Sequence, residues 1–85
     1  MAKTMKNKKY VCLVCGFDGL KEPPFDKRGE ASYEICPCCG FEFGFDQSPH
    51  AQFRESWING GAQWYILKQK PKGWNLQKQL RNIKN

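Results

Sequence analysis

The chain has 85 residues, 40% of them hydrophobic, with six Phe, three Tyr, three Trp, five cysteines and a formal net charge of +6. So many aromatic side chains exclude a solvated linker, while a chain this short gains only roughly 3–5 kcal/mol from its core and needs a metal, disulfides or a partner. The odd cysteine count and a lysine-rich start with no apolar h-region argue against a secreted disulfide scaffold, and the longest apolar run, residues 10–15, is far short of the ~18 needed to cross a membrane.

The expected setting is therefore reduced and cytoplasmic, with no membrane segment. One histidine, no Ser/His/Asp set and no phosphate-cradling glycine loop give no catalytic constellation, so the chain is read as a non-enzyme.

In chain order, residues 1–9 are a basic leader, expected to be disordered, with Lys3, Lys6, Lys8 and Lys9. Residues 10–85 are expected to form a single domain, with knuckles and strands over 10–46 and a helical part over 47–85. A strand over residues 9–11 leads into Cys12-Leu13-Val14-Cys15-Gly16-Phe17-Asp18. A second strand over 32–35 leads into Cys36-Pro37-Cys38-Cys39-Gly40-Phe41-Glu42.

These two phrases are one repeat, Cys-x-x-Cys-Gly-Phe-acid. Two residues between cysteines let both sulfurs reach one ion, and the following glycine lets the backbone bend back. The spacing C-x2-C-x20-C-x2-C nominates Cys12, Cys15, Cys36 and Cys39 as ligands of one structural zinc ion with no position left for water. Iron on the same four thiolates is the alternative. Cys38 is the spare thiol, read as a small residue whose ionisation is discouraged by the neighbouring thiolates.

Between the knuckles, residues 19–29 carry Pro23-Pro24 and two glycines and read as a loop, either mobile or a contact surface. Beyond the second knuckle, Phe41, Phe43 and Phe45 alternate and should share one face of a small antiparallel sheet. Ser48-Pro49 reads as N-cap and first helical residue, and Asn59-Gly60-Gly61 as the stop. His50 falls on the first turn and is read as a surface histidine. Residues 62–70 could add one or two helical turns before Pro71. Asn75 can cap a last helix whose Leu76, Leu80 and Ile83 form an apolar stripe that docks on the domain or, failing that, binds a partner. The fold class expected is a small α+β protein: a zinc-ribbon-like antiparallel sheet on two CxxCG knuckles, followed by two or three short helices.

Charge is divided along the chain. All eight acidic residues lie between Asp18 and Glu55, whereas Lys68, Lys70, Lys72, Lys78, Arg81 and Lys84 follow them with no acid between. The high basicity thus belongs to the two ends and not to the body.

The two knuckles, with Tyr33-Glu34-Ile35 before the second, and the later Trp57-Ile58-x-Gly60, Trp64 and Lys72-Gly73-Trp74-Asn75-x-x-x-Gln79-Leu80 resemble the bacterial cysteine-rich CPCC family of small zinc-ribbon-like proteins. Leu13 stands where the family often has proline, which leaves the ligand positions intact. The resemblance implies a metal-binding fold, no established reaction, a bacterial cytoplasmic setting and an association with immunity genes of toxin systems. The leading expectation is a zinc-stabilised binding module for another protein, a toxin or a regulator. The alternatives are a nucleic-acid-binding zinc ribbon using the basic ends, and an iron-thiolate electron carrier.

Overall fold

The computed structural model describes residues 9–83. The leader predicted over residues 1–9, apart from Lys9, lies outside the described residues, as does Lys84. The elements are helix α1 (His50–Asn59), a 3-10 turn (Leu67–Gln69) and helix α2 (Leu76–Leu80).

The expected antiparallel sheet does not form: among the described residues there is no strand, only isolated bridges at Tyr10↔Leu20, Phe25↔Ala31, Ile35↔Glu42 and Phe43↔Asp46. The zinc-ribbon architecture is therefore incorrect. The backbone explains the failure. Each segment that might pair runs straight into a knuckle turn, so Tyr10 and Leu20 exchange two hydrogen bonds of 3.0 Å and the ladder ends there. Around the second knuckle, Tyr33 adopts φ +62° and Gly44 φ +104°, left-handed values that no extended strand contains. Glu42 donates its amide to its neighbour's carboxylate, Asp46 Oδ2, at 2.8 Å, closing a turn. Phe41 and Phe43 are fully buried while Phe45 is 69% exposed, so the three do not share a face.

The 19–29 loop is a fastened hairpin. Asp26 Oδ1 accepts from the Arg28 and Glu30 amides at 2.8 and 2.9 Å, and Asp26 N donates to Glu30 O at 3.0 Å. An Asp side chain that bonds its own following backbone fixes such a turn. Pro24 is buried.

Helix α1 begins one residue later than expected. Pro49 (φ −57°, ψ 141°) is the N-cap with no side-chain cap bond, and its carbonyl accepts from Phe53 N at 3.0 Å. The helix stops at Gly60, followed by Gly61 at φ +103° and Ala62 at φ +50°. His50, Phe53 and Trp57 line the face toward the core. His50 is not a free surface residue: its ring lies 5.3 Å from Phe41 and 5.8 Å from Phe43, edge to face, and 6.3 Å from Phe25, stacked.

Residues 62–70 form only the 3-10 turn because their backbone is engaged elsewhere. Tyr65 N and Ile66 N donate to Cys38 O and Pro37 O, both at 2.9 Å. A helix would turn those amides inward on its own carbonyls. Asn75 caps α2 through Oδ1, which accepts from Lys78 N at 2.9 Å. The core is built from Phe41, Phe43, Leu20, Val14 and the cysteines, with Trp64 beside them.

Candidate metal centre

The two knuckles repeat in three dimensions as they do in sequence. Gly16 N donates to Cys12 O at 3.0 Å and Gly40 N to Cys36 O at 2.8 Å, while Cys12 N bonds Phe17 O and Cys36 N bonds Phe41 O at 2.7 and 3.0 Å. Gly16 and Gly40 take φ +88° and +83°, a conformation that any Cβ penalises. This is the physical content of the glycine after each cysteine pair: it reverses the chain so that both sulfurs turn inward.

The four sulfurs of Cys12, Cys15, Cys36 and Cys39 converge, all within 4.8 Å of one another, and all four residues are buried. Across the knuckles, Cys12 Sγ lies 3.8 Å from Cys39 Sγ and Cys15 Sγ 3.7 Å from Cys36 Sγ. A tetrahedron with metal–sulfur bonds of about 2.3 Å has edges of roughly 3.8 Å, so the donor set fits a tetrahedral thiolate ion. These separations are far too long for disulfides, and the cysteines are free thiols. The fold brings together the four cysteines nominated by the spacing and leaves His50 among the phenylalanines.

The close, buried thiols shift one another's ionisation in opposite directions. Hydrogen bonds with Cys15, then Cys36 and Cys39, hold the Cys12 thiol far below the ordinary range despite burial, and Val14 N adds a 3.4 Å bond to its sulfur. Cys15 and Cys39 are pushed up, in each case chiefly by the bond to Cys12.

Cys38 is the fifth buried thiol and occupies in the second knuckle the place of Val14 in the first; both are fully buried. Interaction with the Cys15 thiol, and after it the amide of Gln79, lowers the pKa of Cys38, while burial and the charge of Cys12 raise it, the last in the sense expected from like charge. Gln79 Nε2 lies 3.3 Å from Cys38 Sγ.

Outside the sulfurs, the middle carbonyls of both knuckles are capped. In the first, Arg54 of α1 donates Nε to Val14 O at 2.6 Å and Nη2 to Leu13 O at 3.2 Å. In the second, the amides of Tyr65 and Ile66 do the same for Cys38 and Pro37. Helix α2 and the turn that follows it then dock on the first knuckle, with Gln79 Nε2 on Cys15 O at 3.0 Å and Asn82 Nδ2 on Gly16 O at 2.9 Å. The expected apolar stripe contributes half-buried Leu76, Leu80 and Ile83, but the specific contacts come from the amides. Sequence reasoning missed Arg54, Gln79 and Asn82. Nothing near them marks their role, because each acts on a carbonyl forty or more positions away.

The fold and the centre define a small module whose four clustered cysteines are positioned to hold a metal ion. Two curated relatives are uncharacterized proteins of Bacillus subtilis (strain 168): YoaQ, 48% identical over 44 residues, covering 51% of this chain and 37% of YoaQ, and YozI, 45% identical over 42 residues, covering 47% and 35%. The matched stretch spans little more than a third of either relative. No family model matches the chain, and no solved structure matches it. No helix among the described residues is long and apolar enough to cross a membrane.

Proposed function

We propose that the chain is a non-enzymatic binding module stabilised by one structural zinc ion on Cys12, Cys15, Cys36 and Cys39, acting in the cytoplasm on another protein. The observation that carries this is the set of four buried sulfurs within 4.8 Å of one another, with the Cys12–Cys39 and Cys15–Cys36 separations at the length of tetrahedral edges. A closed four-thiolate shell has no open position for substrate or water, so such an ion supplies folding free energy and not chemistry. The Cys36-Pro37-Cys38-Cys39 run supports placing the chain with the cysteine-rich CPCC proteins, and the partial match to two uncharacterized B. subtilis proteins is compatible with that placement. The same four thiolates suit iron, which would make an electron carrier; metal analysis of the purified protein, colourless with zinc or coloured with iron, decides between them.

A partner of basic character suits the acidic residues between Asp18 and Glu55, and a toxin or a regulator is the class expected. Nucleic acid is the second reading, favoured by Lys68, Lys70, Lys72, Lys78 and Arg81, all exposed in a stretch without an acid, and by Lys70 Nζ standing 5.5 Å over the Trp74 ring. Phosphate contacts of that kind are lost steeply with salt. The test is capture from bacterial lysate on the tagged, metal-loaded protein, washed at low and then high salt. One stoichiometric protein that survives high salt supports the first reading. Salt-labile nucleic acid replaces it with the second.

A further inference from the structure

Five sulfurs are buried together at the knuckles, yet a tetrahedral ion takes four. Three of them, Cys36, Cys38 and Cys39, lie within four consecutive positions, and Cys38 is as fully buried as Cys36. Something must decide which sulfurs face the ion.

The side chain of Gln79 is placed to do so. Its Oε1 accepts from Trp74 Nε1 at 2.7 Å, which fixes the orientation of the amide and sends both Nε2 hydrogens the other way. One goes to Cys15 O and the other to Cys38 Sγ. All three of these bonds are satisfied at once, and Trp74 is itself held edge to face between Trp57 and Trp64, with centroids at 6.4 and 5.6 Å. The helix that carries Gln79 is set on the knuckle independently by Asn82 on Gly16 O. The first knuckle has Val14 where the second has Cys38, so only the second presents a surplus thiol, and the one amide that touches that thiol also grips the opposite knuckle.

We infer that Gln79 is a positioning residue of the four-cysteine centre: its amide fixes the Cys15 backbone and holds the Cys38 thiol out of the ligand set. The inference rests on the metal-binding reading above. Residues outside the ligand shell that orient ligands typically change metal affinity by about 10–100-fold when removed.

The test uses the full chain loaded with Co2+, whose absorption reports both the number of thiolates and the uniformity of the site. Gln79→Glu keeps an oxygen for Trp74 but donates nothing to Cys15 or Cys38; Gln79→Leu serves if the added charge prevents folding. Asn82→Ala removes a docking bond of the same helix without touching sulfur. The expected result is that Gln79→Glu weakens Co2+ binding about 10–100-fold and alters the thiolate absorption, that Asn82→Ala leaves the absorption unchanged, and that adding Cys38→Ser to Gln79→Glu restores the wild-type spectrum. Wild-type affinity and spectrum in both Gln79 variants overturn the inference, and so does an Asn82→Ala protein that reproduces both changes, since Gln79 would then only fasten the helix. A wild-type protein that takes up no Co2+ overturns the metal reading itself, and this inference with it.

Discussion

Gly16 lies directly beneath Gln79: a Cβ on the glycine would overlap the Gln79 carbonyl oxygen and stand 3.4 Å from Ile83 Cγ1. The knuckle glycine therefore serves two ends, reversing the chain at φ +88° and admitting α2 onto the four-cysteine cluster. Gly29 has nearly the same φ, +83°, but nothing within 4 Å of its Cβ position. Gly29→Ala is expected to cost only the left-handed penalty, about 1–2 kcal/mol. Gly16→Ala should cost clearly more, because α2 must also move. Urea unfolding of the metal-loaded variants measures the difference; equal losses would mean that the close approach of α2 carries no energy.

Stripping the ion should abolish tertiary structure, since a small core is being supplemented by metal–ligand free energy. With a chelator and a reductant present, the dispersed NMR spectrum is expected to collapse, and Cys36→Ser should show the same loss at ordinary zinc concentrations. A metal-free sample that kept its dispersion would refute the role of the cluster.

Arg54 spans two carbonyls of the first knuckle with one guanidinium. Arg54→Ala leaves Leu13 O and Val14 O without that donor, and such a loss at a partly buried site costs about 1–3 kcal/mol. Arg54→Lys should recover little, because an ammonium lacks the planar fork. Thermal denaturation of the loaded proteins tests both, and a fully stable lysine variant would show that charge alone matters.

Phe41 and Phe45 separate the observed fold from the expected sheet. Phe41→Ala is predicted to cost about 3–5 kcal/mol, whereas Phe45→Ser, at a position 69% exposed, should stay within about 0.5 kcal/mol. In a sheet with alternating faces the two would be lost at similar cost, so matched destabilisation would restore that arrangement.

The centre was readable in the sequence because the local Cys-x-x-Cys-Gly spacing nominates two sulfurs of each knuckle, whereas the Gln79 amide that touches the spare thiol comes from a segment remote in the chain. The fold around it was not. Alternation at Phe41, Phe43 and Phe45 has the period of a strand, but Tyr33 and Gly44 hold left-handed backbone that breaks the pairing, and a tyrosine at φ +62° is no residue from which sequence would infer a turn. Helix α1 and the cap at Asn75 follow local rules, Gly-Gly termination and an Asn side chain accepting from three residues on. Of the one or two turns expected over 62–70 only the 3-10 turn forms, for a non-local reason, since Tyr65 and Ile66 give their amides to Cys38 and Pro37. His50 was misplaced for the same reason, as its aromatic neighbours come from segments separated in the chain.

The two knuckles differ in what holds their carbonyls, a guanidinium for one and main-chain amides for the other. Any residue except proline carries an amide, so the side chains at 65 and 66 are free to drift in evolution without loosening the second knuckle. The first has no such latitude: its carbonyls depend on the particular side chains of Arg54, Gln79 and Asn82.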